Sequence, residues 1–201
     1  MAQPGRDSDS DAALWLEATH GGSSAFAAIF DRHRVRVFRK AYRSIQNAAD
    51  AEDVVAMVFL EAWKKRDDVR FVDGSVLPWL LAMTGYVTLN VERSKRRHGI
   101  ALSKLPLDEA ERDWSEDVSE DLDRAHQWAQ VRTAIARLGE RDQVMLQLAI
   151  VDDLSTQEVA AALDIPVGTV KSRLSRARTR LREEFDKAGI ASDFDAAGGD
   201  Q

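Results

Sequence analysis

The chain has 201 residues, 44% of them hydrophobic, enough for one packed domain or two small ones, and its 34 acidic against 28 basic side chains give a formal net charge of −6. It contains no cysteine, which excludes a disulfide framework, a thiolate nucleophile and any Cys-based metal site. His20, His33, His98 and His126 lack ligand spacing, no carboxylate and histidine group has acid–base spacing, and no apolar run approaches the roughly 18 residues of a membrane span, so a cytoplasmic, non-enzymatic protein without metal, cofactor or membrane insertion is expected.

After a polar start, Met1 to Ser10, the periodicity from Asp11 to about Arg97 is helical, with no competing strand pattern. Asp11 and Ser23 or Ser24 are expected N-caps, and Gly21-Gly22 separates the first two helices. The second helix is predicted to bury Phe26, Phe30 and Val37 or Phe38 and to show Arg32, Arg34, Arg36, Arg39 and Lys40. A third, from Ala48 or Asp50 to Lys65, offers Val55, Val58, Phe59 and Ala62 to a core. Its acids Asp50, Glu52 and Asp53 lie in the first turn, where they favour the helix dipole or meet a partner.

A loop with Phe71 and Asp73-Gly74 precedes a long helix from about Val76, with Pro78 in its first turn and Leu80, Met83, Val87 and Val91 as its inward stripe. This helix ends in the basic run Arg93-Ser94-Lys95-Arg96-Arg97-His98. Phe71, Trp79 and Tyr86 lie just upstream, and aromatic faces beside a basic groove hold unstacked single-stranded bases, although by pattern alone Trp79 fits a core position better.

Residues 99–123 are expected to be an acidic, flexible linker, dense in Asp and Glu from Asp108 to Asp121. A second helical domain, 124–187, opens with Trp128, Val131, Ile135 and Leu138 at helical spacing, takes Gly139 as a C′ residue and continues through Val144, Leu148 and Val151. Ser155 and Glu158 then form an S-x-x-E capping box. Val159 and Leu163 point inward, and Asp164-Ile165-Pro166 stops the helix. A further helix starts at Val167 or Gly168 with Val167, Val170, Leu174, Ala177 and Leu181 on one face. The other face carries Ser172, Ser175, Arg176 and Thr179 beside Thr169, Lys171, Arg173 and Arg178, with no acid between Lys171 and Arg182. Two helices so joined make a helix-turn-helix, whose second helix enters the major groove. Its hydroxylated and basic side chains then reach base edges while flanking cations hold phosphates. In an acidic chain, so cationic a helix is a local concentration of charge.

These residues carry a family resemblance. Ile165-Pro166-Val167-Gly168-Thr169-Val170-Lys171-Ser172-Arg173-Leu174-Ser175-Arg176-Ala177-Arg178, preceded by Leu138-Gly139-Glu140-Arg141, resembles the fourth conserved region of bacterial sigma factors of the extracytoplasmic-function group. Asp50-Ala51-Glu52-Asp53-Val54-Val55 with Phe59-Leu60-Glu61-Ala62-Trp63 is similar to their polymerase-docking helix, and Trp79-Leu80-Leu81 with the following basic run to their strand-melting element. The resemblance implies an all-α, two-domain transcription initiation factor whose partners are RNA polymerase core and promoter DNA, with an anti-sigma factor as a further partner the family allows. Residues 11–98 would contact core polymerase through Asp50, Glu52, Asp53, Ala56, Phe59 and Glu61. They would contact the melted minus-ten strand through Phe71, Trp79, Tyr86, Asn90, Arg93, Lys95, Arg96 and Arg97. Residues 124–187 would read the minus-thirty-five duplex. The chain departs from the family pattern at Ala56 and Met57, where Gln and an acid are common, and at Ala82 and Tyr86, where Arg and Asn often stand. The alternative is a dimeric helix-turn-helix repressor or activator on duplex DNA alone, which has no need of the acid-capped docking helix or the second basic helix.

Overall fold

The structure is a computed structural model and describes residues 10–102 and 133–187. Its elements are α1 (Asp11–Thr19), α2 (Ser23–Ile45), α3 (Ala48–Lys64), a 3-10 turn (Arg66–Asp68), α4 (Leu77–Leu102), α5 (Glu140–Leu146), a π turn (Gln147–Val151), α6 (Thr156–Leu163) and α7 (Val167–Lys187). Residues 133–136 are also helical. Among the described residues β pairing is confined to an isolated bridge between Val72 and Ser75. The fold is all-α, as expected. Residues 103–123 of the expected linker, and Trp128 and Val131, lie outside the described residues; α4 itself continues through Leu102, past the boundary expected at residue 98.

Helices α1 to α4 enclose a core of Trp15, Ile29, Val37, Val54, Val58, Phe59 and Leu80, with Phe26, Phe30, Met83, Val87 and Val91 packed against it. Trp15 stands edge-on to Phe26, Phe71 and Trp79 at centroid distances of 5.9, 6.4 and 6.0 Å. Such pairs add about 0.5–1.5 kcal/mol each beyond the area they bury. A second core gathers Leu138, Val144, Met145, Leu148, Val159, Val170, Leu174, Ala177, Leu181 and Phe185, and it includes Leu81 and Ala82 from α4. Tyr86 and Leu89 pack against this same core.

Helix α4 therefore carries two apolar stripes and joins the two domains. At Gly85 an added Cβ would lie 3.1 Å from both methyl carbons of Val144, so the missing side chain is what lets α5 approach α4 this closely. Among the described residues four ion pairs cross the same seam: Lys40 and, at 3.9 Å, Arg43 with Asp152, Arg93 with Glu140, and Arg70 with Asp164 at 2.9 Å.

Several local expectations are corrected. Lys40 was expected on the outer face of α2; it is 5% exposed, because its ammonium meets the equally buried Asp152, and Arg43 adds a weaker contact to the same carboxylate at 3.9 Å. Asp11 is not the N-cap of α1. Ser10 is, its hydroxyl accepting from Ala13 N–H at 3.2 Å, and Gly22 precedes α2 without a side-chain cap. Gly139 is the N-cap of α5 rather than the C′ residue of the preceding helix. Val151 is exposed: the π turn, where Asp152 N–H bonds Gln147 C=O at 3.0 Å, inserts a residue, turning Val151 outward and Asp152 inward.

Candidate nucleic-acid interface

The clearest surface is α7. Its approach is fixed by the reciprocal capping box of Ser155 and Glu158, by Asp164 in the left-handed region (φ 56°), and by Pro166 C=O, which accepts from Thr169 N–H and Val170 N–H at 2.8 and 3.1 Å. Val170, Leu174, Ala177 and Leu181 are buried, which leaves Lys171, Ser172, Ser175, Arg176 and Thr179 exposed and Thr169, Arg173 and Arg178 half-buried. Ser172 and Thr179 donate their hydroxyls back to Thr169 C=O and Ser175 C=O, and Arg176 Nε donates to Ser172 C=O at 3.3 Å. These local bonds keep the side chains folded along the helix, where a base edge or phosphate can exchange for them. Arg173 differs. Its guanidinium lies 3.5 Å from Asp142, an ion pair that ties α7 to α5. Among the described residues Lys171, Arg176, Arg178 and Arg180 form no ion pair.

In the front domain the expected strand-binding residues separate into two sets. Asn90, Arg93, Lys95, Arg96 and Arg97 are exposed near the end of α4, yet Arg93 is paired with Glu140 and Lys95 with Asp50. Phe71 is half-buried against Trp15. Trp79 is 5% exposed inside the aromatic cluster and presents no face to a base; here the core reading of that tryptophan is the one realised. Tyr86 is half-buried against the second core, and burial pushes its phenol upward from the ordinary tyrosine range. Ala82 and Tyr86, the two departures from the family pattern on α4, both sit on the stripe that packs against the back domain. A long arginine at position 82 would not fit there.

On α3 the N-cap is Asn47, whose side chain accepts from Asp50 N–H at 3.0 Å. Glu52, Asp53 and Ala56 are exposed, Asp50 is half-buried, and Glu61 is half-buried with Lys65 at 3.1 Å. Phe59 is corrected: it is 3% exposed, against Phe26 and Phe30, and supports the helix from inside. Met57 and Leu60 were not singled out as site residues, although both are large, apolar and exposed beside Asp53 and Ala56. Their signal was present in the pattern, since both fall outside the inward stripe of Val55, Val58, Phe59 and Ala62.

Two buried carboxylates organise the rest. Asp11 accepts from Arg32 and from a His33 ring nitrogen, each at 2.7 Å, and from Ser75 Oγ and Val76 N–H, each at 2.9 Å. Burial alone would raise its pKa, but the bonds from His33, Val76 and Arg32 outweigh it and hold the carboxyl well below the usual carboxylate range. Lys40 is pushed the other way from stability of its charge: burial lowers its pKa, and the Asp152 carboxylate only partly offsets this. No group of three or more potential metal ligands occurs among the described residues, and none of their helices is long and apolar enough to cross a membrane.

Comparison with known proteins agrees with this layout. The Sigma-70 region 2 family model matches residues 29–98, and the Sigma-70, region 4 model matches residues 128–181. The chain is 33% identical over 152 residues to the RNA polymerase sigma factor HrpL of Pseudomonas syringae pv. syringae, covering 72% of this chain and 78% of that protein. It is 29% identical over 163 residues to the ECF RNA polymerase sigma factor SigL of Mycobacterium tuberculosis, covering 81% and 90%. SigW of Bacillus subtilis, also an ECF RNA polymerase sigma factor, is 26% identical over 174 residues, covering 82% and 91%. The solved structure of CnrH in complex with the cytosolic domain of CnrY shares the fold with a TM-score of 0.54 at 24% identity, covering 88% of this chain and 97% of that one. The region 2 match leaves the repressor alternative without support. With regions 2 and 4 present in order, and a relative above 30% identity matched over most of its length, the chain belongs to the RNA polymerase sigma factors of the extracytoplasmic-function group.

Proposed function

We propose that this sigma factor engages its partners through three separate surfaces. The outer face of α7 reads the minus-thirty-five duplex, with Ser172, Ser175, Arg176 and Thr179 toward base edges and Lys171 and Arg178 toward phosphates. The 66–76 loop and the basic end of α4 take the melted minus-ten strand, and Glu52, Asp53, Ala56, Met57 and Leu60 of α3 meet core polymerase. The observation that carries the reading is the contrast on α7, a fully packed inner stripe under an outer face with no acid from Lys171 to Arg182. Residues 11–98 and 124–187 then act as the two working domains, with 99–123 as tether. The protein contributes binding rather than chemistry, works in the cytoplasm where polymerase is, and an anti-sigma factor is a further partner of the same surfaces.

The closed arrangement has a consequence for this reading. Two DNA elements centred about 25 base pairs apart are separated by roughly 85 Å at 3.4 Å per pair. Helix α4, along which the back domain is docked, has 26 residues and is only about 39 Å long. Both elements cannot be held at once by docked domains, so the domains part on the promoter, and the stretch 103–132 has a maximal reach of roughly 100 Å to allow it. The test is in vitro transcription with core polymerase on a promoter library randomised in both elements. Promoter-dependent initiation with selection at both elements is expected; binding to duplex DNA with no core-dependent initiation would overturn the reading.

A further inference from the structure

Helix α1 lies before the first residue matched by either family model, yet it is bonded to both ends of the loop between α3 and α4. At the entry to that loop, Trp15 Nε1–H donates to Arg66 C=O at 3.1 Å. At its exit, Ser75 Oγ and Val76 N–H both donate to Asp11 Oδ2 at 2.9 Å, and Ser75 Oγ in turn accepts from Leu77 N–H at 3.2 Å. The middle is held as well, by the edge-on contact of Phe71 with Trp15 and by a tight turn in which Val72 and Ser75 exchange backbone hydrogen bonds of 2.9 and 3.0 Å. Asp73 and Gly74 fill that turn with positive φ (50° and 79°), as the mirror-image hairpin turn requires and as Asp-Gly favours. The loop also touches the back domain through Arg70 and Asp164, but that pair is exposed and such pairs contribute little.

From this juxtaposition we infer that Asp11 and Trp15 of α1 are positioning residues for minus-ten recognition, clamping the 66–76 loop at its entry and exit so that its side chains meet the melted strand in one fixed geometry. The inference rests on the reading that this loop takes the minus-ten strand. Its physical basis is that an exposed loop of this length samples many conformations, and discrimination between bases needs donors and acceptors held to a fraction of an ångström. Two side chains on one short helix remove that freedom at both hinges. Neither needs to touch DNA.

The experiment uses the full chain with core polymerase on promoters that keep one minus-thirty-five element and randomise the minus-ten element. Trp15→Phe keeps a ring in the aromatic cluster while removing the bond to Arg66 and part of the indole volume, and Ser75→Ala removes one of the two bonds to Asp11 at the other end, leaving that of Val76 N–H. Each is expected to lower the preference between the best and the other bases at one or two minus-ten positions by roughly three- to tenfold, while core binding and minus-thirty-five preference stay as in the parent. Leu16→Ala, an exposed position on the same helix, is expected to behave as the parent. If Trp15→Phe and Ser75→Ala both reduce output from every minus-ten sequence by the same factor, or leave the preference unchanged, the clamp is merely structural and the inference is overturned. A parent protein that initiates with core but shows no minus-ten preference would instead sink the reading of the loop itself.

Discussion

The two cationic helices are presented very differently. On α7 the cations Lys171, Arg176, Arg178 and Arg180 make no ion pair among the described residues, whereas on α4 Arg93 is held by Glu140 of the back domain and Lys95 by Asp50 of α3. One surface is open and the other is partly neutralised by carboxylates of the same molecule. The difference teaches that docking of the domains occupies one α4 cation: Arg93 is released when the seam opens, whereas Lys95 stays paired within the front domain and the α7 cations are available in either arrangement.

The strongest way to break this comparison is at the seam. Asp152→Ala leaves the buried Lys40 ammonium without its carboxylate, which costs up to about 3–5 kcal/mol of docked-state stability. The loss is capped by the free energy of docking, since undocking returns Lys40 to water. Urea unfolding should show a lower midpoint, and Lys40→Met combined with Asp152→Leu should recover much of it; a parental midpoint for Asp152→Ala would mean that the pair is hydrated. Acid acts on the other buried carboxylate. Because the folded-state pKa of Asp11 is depressed, the stability it contributes is full above its unfolded value of about 3.9 and is lost as pH falls below it. A pH series of thermal melts should therefore fall less steeply on the acid side for Asp11→Asn than for the parent.

On α7 the comparison sharpens into individual roles. Arg176→Ala should change which minus-thirty-five sequences are preferred, by about 1–3 kcal/mol at one position, while Lys171→Ala should weaken binding to all sequences and reduce the log–log salt slope by roughly one. Binding selections over randomised duplexes at two salt concentrations separate these outcomes, and interchanged results would reverse the assignments. Asp53→Arg should weaken core polymerase binding by about 1 kcal/mol, chiefly through slower association, with the fold intact by circular dichroism. The smallest effect is expected for Glu140→Gln. Losing an exposed pair changes stability by less than about 1 kcal/mol, yet it frees Arg93 and should raise the affinity of the unassisted protein for single-stranded DNA.

Much of this was legible in the sequence because it is local. The capping box of Ser155 and Glu158, the stop at Pro166 and the inner stripe of α7 are all written within a few turns of helix, and each is present as read. What was missed depends on partners far along the chain. Lys40 looks like one more exposed cation on α2 until Asp152, 112 residues away, is brought against it. Leu81, Ala82, Tyr86 and Leu89 form a second stripe on α4 that has no meaning without the back domain, and Asp11 reads as a cap because its four donors come from α2 and the exit of the loop before α4. Trp79 and Phe59 have the composition of a binding surface and the periodicity of a core, and packing decided for the core.

Gly85 gives the joint between the domains an unusually small adjusting screw. A single methyl placed there would press on both branches of Val144 at once, and that valine, itself fully buried, would have to give by a few tenths of an ångström. The same methyl would improve α4 as a helix by roughly 1 kcal/mol, since alanine loses less backbone freedom than glycine on folding. One carbon atom would thus stiffen the front domain while straining the contact through which the back domain is seated on it.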